Sequence, residues 1–181
     1  MSQGIVIVSS FKTRPWLNDL LNSIGNYTKQ RVVVHYNSTE ENEYEMGGIK
    51  RGLQEGFEEF FLLHDTCVIK TKQLFDVIFY RYLGSSVAIS PLFLSYLGKY
   101  RRETLLKCTI PEVRTKRQAV DAETNFNKEY IEKEPFFHVM YPEFDIKYRF
   151  EEKHGRNNMV LESEGLIKYK GTWSCDMIEE N

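Results

Sequence analysis

The feature that most constrains this chain is the alternation, through its first half, of short apolar blocks with segments of helical periodicity. Continuous apolar blocks of strand length suit strands that are buried on both faces. Strands that alternate with helices favour βαβ units and a parallel sheet. The sequence therefore predicts an α/β fold. The predicted strands cover residues 5–8, 31–36, 60–63 and 87–89, and the predicted helices cover 15–25, 47–56 and 72–83.

Length and composition indicate one globular domain. The chain has 181 residues, of which 41% are hydrophobic and 28% charged, as in an ordinary folded domain. The net charge of −2 gives no global argument for binding a nucleic acid or a membrane. No apolar run reaches the roughly 18 residues of a membrane-spanning helix, and no secretory signal pattern is present. With three scattered cysteines and no CxxC pair, we expect a single domain over 1–181 in a reducing, cytoplasmic setting.

Polar loops follow the first three predicted strands, at residues 9–14, 37–43 and 64–66. In open α/β sheets, ligands bind outside the carboxyl ends of the strands. These loops therefore predict where a ligand binds, before any reaction is considered.

The second half carries a predicted helix over residues 115–132. Its apolar side chains recur at helical spacing and form one face, which also contains Glu123, whereas Asp121 lies roughly opposite. A carboxylate on an inward face is costly unless it is paired or functional. Glu123 is therefore a candidate functional residue, and an ion pair with Arg114 or Lys116 is the structural alternative.

Two further features complete the second half. Residues 99–119 hold seven basic and two acidic side chains, a local charge of +5, which is either a solvated face or a polyanion-binding patch. Residues 159–161 and 166–168 flank a segment ending in Gly165, which predicts a β-hairpin.

Four segments in this order resemble a glycosyltransferase of the GT-A fold. Residues 5–14 look like the opening strand and nucleotide-facing loop of that family, and 32–38 like its second strand, whose end commonly meets the nucleobase. Residues 47–52 look like its glycine-containing helix start, and 60–66 occupy the place of its Asp-x-Asp motif. The resemblance covers residues 4–91 best. It implies a mixed, mainly parallel sheet, with a nucleotide-sugar half at 1–91 and an acceptor-side half at 92–181.

The resemblance also implies a set of roles. A carboxylate base would activate an acceptor hydroxyl, with Glu123 favoured over Asp121. Asp65, with His64, would hold Mn²⁺ or Mg²⁺ against the diphosphate of the donor. The implied contacts to the nucleotide sugar are Ser9, Ser10, Phe11, Arg14, Asn37, Gly48, Arg51, His64, Asp65, Lys168 and Lys170.

The chain departs from the family pattern at its predicted metal site. The segment 64–66 reads His-Asp-Thr and supplies one carboxylate instead of two. Where a C-terminal histidine often completes the metal site, this chain offers Lys168 and Lys170, and an ammonium group could replace part of the metal's charge. Metal-independent binding of the donor is therefore the alternative to a Mn²⁺ or Mg²⁺ site.

Other functions stay open from the sequence alone. A single carboxylate is compatible with a nucleotide-sugar binder that lacks transfer activity. The basic run over 99–117 is compatible with an interaction module for DNA or RNA, and a nucleic acid also stays open as the acceptor. A nucleotidyltransferase would bind at the same strand ends, but the glycine-rich basic loop expected after the first strand is missing. Structural interpretations also stand: a turn cap for Asp65, a packed ring for His64 and a plain helix start for Gly47 and Gly48.

Overall fold

The structure is a computed structural model that describes residues 1–10, 13–38, 42–89, 97–142, 155–162 and 165–170. Five helical segments, nine strands and one π-helical turn are formed within these ranges. In chain order they are β1 (Gln3–Ser10), α1 (Arg14–Gly25), β2 (Arg31–Asn37), α2 (Tyr44–Gln54), β3 (Glu59–His64), β4 (Cys67–Ile69), α3 (Gln73–Asp76), the π-helical turn (Val77–Arg81), β5 (Ser86–Ala88), β6 (Gly98–Arg101), α4 (Arg102–Leu105), α5 (Lys116–Lys133), β7 (Phe137–Val139), β8 (Gly155–Glu162) and β9 (Leu166–Lys170).

Six strands form one mixed sheet in the order β2-β1-β3-β6-β5-β7. β1 is parallel to β2 and β3, and β5 is parallel to β7. β6 is antiparallel to both of its neighbours, β3 and β5. The predicted α/β class with a mixed, mainly parallel sheet is confirmed, and the sheet takes strands from both halves of the chain.

The core lies on both faces of this sheet because successive strand residues point to opposite sides. On β1, Ile5 and Ile7 pack in one apolar cluster with residues of α1 and α3. Val6 and Val8 pack in the other cluster, with residues of α2 and α5. Burying each aliphatic side chain contributes about 1.5–3 kcal/mol. The uninterrupted apolar run that predicts a strand buried on both faces is thereby explained.

Helix α2 lies unusually close to the sheet because glycines face it. A Cβ on Gly48 would lie 2.8 Å from Leu62 Cδ1 and closer still to Val8, and a Cβ on Gly52 would lie 2.5 Å from the ring of Phe60. The helix begins at Tyr44, so the prediction that Gly47 and Gly48 open it is wrong. Gly48 packs against strand side chains inside the helix, and its contact with the donor stays a prediction.

The polar segment around residue 99 is an inner strand of the sheet, which its charge pattern did not predict. Lys99, on β6, is fully buried, and its Nζ lies 3.0 Å from Glu59 Oε2 on β3. The same Nζ donates to the carbonyl of Tyr82 at 2.6 Å. Gln3 Nε2 likewise donates to the carbonyl of Phe79 at 3.2 Å. The two carbonyls lie in the π-helical turn and at its end. The helix predicted over 72–83 is therefore a short α-helix, α3, followed by this π-helical turn.

The basic run over 99–117 does not form one free cationic surface. Besides the burial of Lys99, Arg101 pairs with Glu134 and Glu103, both at 2.9 Å. Lys107 pairs with Glu103 at 2.9 Å as well. Several cations of the run therefore pair with carboxylates, from Glu59 and Glu134 elsewhere in the fold and from Glu103 within the run. The polyanion-binding alternative stays a prediction.

Helix α5 is fixed at both ends. Thr115 caps its first turn in a capping box with Gln118, which agrees with the predicted start of the helix. Beyond its last turn, buried Glu134 accepts hydrogen bonds from Ser86 Oγ at 2.7 Å and from Thr104 Oγ1 at 2.8 Å. These bonds hold α5 against β5 and α4, and so determine where Glu123 lies.

The C-terminal strands return to the end of β3. β8 and β9 pair antiparallel, as the predicted hairpin requires, and β9 also pairs antiparallel with β4. The Tyr169 N–H donates to the carbonyl of Thr66 at 3.0 Å. β9 therefore continues alongside Thr66, the residue that follows Asp65. None of the helices in the described ranges is both long and apolar enough to cross a membrane.

Candidate functional site

Three parallel strands place their carboxyl ends at one edge of the sheet. The register pairs Val8 on β1 with His35 on β2 and with His64 on β3. Ser9, Ser10, Asn37, His64 and Asp65 therefore lie close together at this edge, although the chain separates them by up to 56 positions. The polar strand ends that the sequence predicts as a ligand site are therefore brought together by the sheet.

Asp65 is held rigidly at the end of β3. Its Oδ2 accepts a hydrogen bond from Thr13 Oγ1 at 2.6 Å, and its N–H donates to the carbonyl of Val8 at 3.1 Å. Thr13 and Ser10 also share a hydrogen bond at 2.9 Å between their hydroxyl oxygens. All three polar side chains are buried. Asp65 therefore ties β3 to the turn that precedes α1, and Thr13 is a site residue that the sequence patterns did not single out.

Ser9 stands apart from this network. Its side chain is fully buried at the end of β1, and among the described residues its Oγ makes no hydrogen bond. A buried hydroxyl left unsatisfied costs about 1–3 kcal/mol. Such an orphan in a folded protein requires an explanation, and a functional role is one of the recognised ones.

An exposed aromatic ring and a cation border the same edge. Tyr36, paired in register with Ser9, is 53% exposed at the end of β2. The guanidinium carbon of Arg14 lies 4.9 Å from the centre of the Tyr36 ring, a cation–π distance. The sequence predicted a role for Arg14 but not for Tyr36, whose large apolar ring next to a strand end was the available signal.

The other face of this edge contains a buried acid–imidazole contact. Glu45, in the first turn of α2, places Oε1 3.2 Å from His64 Nε2, and both side chains are more than nine-tenths buried. The preceding Tyr44 has a φ of 53°, which is uncommon for a residue with a side chain. Asn37 Nδ2 donates to the Tyr44 carbonyl at 3.3 Å, and Asn37 Oδ1 accepts from the Glu43 N–H at 3.0 Å. Asn37 thus anchors the start of α2.

Glu123 and Asp121 differ in their exposure on α5. Glu123 is half-buried. Burial raises the pKa of Tyr100 well above its usual value, and the neighbouring Tyr130 and the charges of Glu45 and Glu123 raise it further. Asp121 is exposed and lines a separate groove of 260 Å³ beside Phe126. Of the two candidate bases, only Glu123 is therefore partly buried.

The remaining predicted contacts divide into two groups. Arg51 pairs with Glu55 at 2.5 Å, one turn further along α2 and away from its first turn. Lys168 pairs in backbone register with Cys67, and the side chains of Lys168 and Lys170 lie outside the described atoms, as does the whole of Phe11.

No group of three or more histidine, cysteine, aspartate or glutamate side chains suited to a metal ion occurs in the described parts of the chain. Mg²⁺ needs only one or two protein carboxylates when phosphate oxygens complete its coordination. At the strand ends Asp65 supplies one carboxylate, which is buried and accepts a hydrogen bond from Thr13. A centre built from protein ligands alone does not fit these residues.

Comparisons with known families, with curated proteins and with solved structures gave no match. The function of this edge is therefore interpreted from its own geometry and chemistry.

Proposed function

We propose that this chain is a glycosyltransferase that moves a sugar from a nucleotide-diphosphate donor to an acceptor hydroxyl. The observation that carries the proposal is the buried, unsatisfied hydroxyl of Ser9 beside the exposed Tyr36–Arg14 pair. A nucleotide offers a planar base for the aromatic ring and several polar groups for the hydroxyl. Ligand binding at the carboxyl ends of parallel strands supports the same interpretation.

The chemistry follows from the charges around the edge. Transfer forms a bond between the acceptor oxygen and the anomeric carbon, and it breaks the bond from that carbon to the diphosphate. Glu123 is the proposed base that takes the proton of the acceptor hydroxyl. The departing diphosphate carries away the electron pair of the broken bond. Arg14, at the start of α1, is the proposed cation that stabilises the diphosphate.

Asp65 is the residue that would hold a divalent cation beside the donor phosphates. Such a cation, when bound, would neutralise part of the charge that develops on the diphosphate. The alternative is that Lys168 and Lys170 of the C-terminal strand β9 take over this role. The backbone of β9 lies beside Thr66, because the Tyr169 N–H donates to the Thr66 carbonyl.

Thermal unfolding with a panel of nucleoside diphosphates and sugar nucleotides, with and without Mn²⁺ or Mg²⁺, tests the donor site. A ligand at 100 times its Kd stabilises the native state by about 2.7 kcal/mol. We expect a shift in Tm that Ser9→Ala reduces, because alanine lacks the hydroxyl. The matched control is Asp76→Ala on α3, because its exposed ion pair with Lys72 involves no candidate site residue. If no member of the panel raises the Tm of the wild type, the proposal is wrong.

Two variants separate the roles of the carboxylates. A metal-dependent shift that Asp65→Asn abolishes would support the shared cation site, whereas a metal-independent shift would assign the diphosphate to side-chain cations. Glu123→Gln should bind the donor normally and transfer the sugar at least 100-fold more slowly, since general-base catalysis contributes about 10²–10⁴-fold. Unchanged turnover in Glu123→Gln would exclude Glu123 as the base.

A second candidate function is nucleotide-sugar binding without transfer. It is favoured by the hydrogen bond that already occupies Asp65 Oδ2. Donor binding with neither transfer nor slow hydrolysis, across a panel of acceptors, would support this second function.

A further inference from the structure

A groove of 390 Å³ opens at the edge of the sheet where the parallel strands begin, opposite to the candidate functional site. Its two walls are the loop that follows α1, residues 25–30, and one face of α3 and the π-helical turn. It lies at this edge because Gln30 precedes β2, and Gln30 Nε2 donates to Gln3 Oε1 on β1 at 3.3 Å. Small-molecule sites have volumes of roughly 300–1,000 Å³. The groove is therefore large enough for a small organic ligand, and it shares no residue with the strand ends.

The wall formed by α3 and the π-helical turn is aromatic. Phe75 and Phe79 are buried and stacked, with 6.3 Å between their ring centres. Tyr80 lies next to them and is 68% exposed. Gln3 Nε2 holds the turn by donating to the Phe79 carbonyl at 3.2 Å, and single π-helical turns occur frequently at functional sites. The exposed ring of Tyr80 therefore offers a surface on which a planar ring can stack.

The charged side chains of the groove favour an anion. Among the described residues that line it, Lys29 and Lys72 face one carboxylate, that of Asp76, so that two cations and one anion leave a charge of +1. Lys72 lies 3.8 Å from Asp76 in a largely exposed pair. Lys29 is exposed and makes no ion pair within the described part of the chain. The ammonium group of Lys29 is therefore the charge that an anionic ligand can neutralise.

The hydrogen-bonding groups of the groove point to the same class of ligand. At the end of α1, the carbonyl of Ile24 already accepts from the N–H groups of Tyr27 and Thr28, at 2.9 and 3.1 Å. By contrast, the side chains of Tyr27, Lys29 and Tyr80 make no hydrogen bond to any described residue. Each of these three side chains can donate. A carboxylate or phosphate group would therefore find donors here.

We propose that this groove binds a small aromatic anion, with its ring against Tyr80 and its carboxylate or phosphate group at Lys29. The site is independent of the proposed transfer reaction, because it lies at the other edge of the sheet and is built from different residues. A carboxylate and a phosphate present the same chemistry to the groove, which is negative charge on several acceptor oxygens.

Titrations followed by backbone amide ¹H–¹⁵N NMR test the class of ligand. The aromatic anions are benzoate and phenyl phosphate, benzyl alcohol and benzylamine carry the same ring without negative charge, and acetate is an anion without a ring. We expect saturable shifts at residues 25–30 and 72–80 with both aromatic anions, and weaker binding of the other three compounds. The tighter of the two anions identifies the preferred anionic group. Equal binding of benzyl alcohol or benzylamine, or no shifts in these two segments with either aromatic anion, would overturn the proposal.

Two variants test the two contacts. Lys29→Met should bind the better aromatic anion about three- to fivefold more weakly, as the loss of an exposed ion pair predicts. Tyr80→Leu should weaken the same anion about 2–10-fold, because it removes the stacking ring. The matched control is Lys128→Met, which changes an exposed lysine on α5 outside the groove and should bind as the wild type does. Both Lys29 and Tyr80 are exposed, so the variants should fold, and their amide spectra verify this. Unchanged affinity in Lys29→Met would refute the anion contact, and unchanged affinity in Tyr80→Leu would refute the ring contact.

Discussion

The buried ion pair between Lys99 and Glu59 leads to the sharpest stability prediction. Lys99→Met keeps most of the aliphatic stem but removes the charge that neutralises Glu59, whose exposure is 1%. Removing one partner of a buried pair costs about 3–5 kcal/mol. The Tyr82 carbonyl also loses its donor, whereas Glu59 retains Gly84 N at 2.6 Å and Gln3 Nε2 at 2.9 Å. These retained bonds place the expected loss near the lower end, at about 3–4 kcal/mol.

Urea denaturation followed by circular dichroism measures this loss as a change in the free energy of unfolding. Lys107→Met is the matched control, because the Lys107–Glu103 pair has the same kind of contact but is more than half exposed. Exposed pairs contribute about 0–1 kcal/mol. The double variant Lys99→Met, Glu59→Gln should lose at least 1 kcal/mol less than the sum of the single losses, as coupled neighbours do. A loss below 1 kcal/mol for Lys99→Met, or equal losses at residues 99 and 107, would refute the reasoning.

Three further predictions concern packing, the orphan hydroxyl and alkaline pH. Gly48→Ala should lower the free energy of unfolding, measured in urea, by about 1–3 kcal/mol, because its methyl group would overpack the sheet. Gly25→Ala is the control: nothing lies within 4 Å of its Cβ, so the free energy of unfolding should change by less than about 1 kcal/mol. Equal effects would contradict the packing argument. Ser9→Ala should stabilise the ligand-free protein by about 1 kcal/mol and weaken donor binding, and a destabilised Ser9→Ala would show that the hydroxyl is already satisfied. Because burial is the main cause that raises the pKa of Tyr100 and of Tyr130, the folded state keeps protons that the unfolded chain releases near pH 10. The free energy of unfolding should therefore fall as pH rises through about 10, and Tyr130→Phe should show a shallower fall in urea denaturation between pH 9 and 11.

The parallel strands could be predicted because their signal is local. Residues 5–8 and 60–63 are uninterrupted apolar runs, and such a run is stable only where both faces of a strand are covered. Helix α5 could also be predicted, from its capping residue Thr115 and from the helical spacing of its apolar side chains. The strand ends were then predicted as a ligand site from a general rule about α/β sheets, which needs no side-chain contacts.

The short and polar strands could not be predicted. The segment 98–101 contains two cations and is a strand because Glu59, forty positions earlier in the chain, neutralises Lys99 inside the sheet. Residues 137–139 and 67–69 are too short to show a period of two. Their pairing with β5 and β9 is decided by long-range register.

The candidate site shows the same difference between local features, which the sequence predicts, and long-range contacts, which it does not. The sequence by itself determined the α/β class, because periodicity is a local property. It also predicted the strand ends as the place for a ligand and an inward face that carries Glu123. Only the tertiary structure decided that Thr13 binds Asp65, that Gly48 packs on the sheet, that Tyr36 lies against Arg14 and that Glu45 meets His64. Each of these pairs joins separate elements of the fold, and the distance between two side chains on separate elements is set by packing and register, which no single segment of the sequence contains.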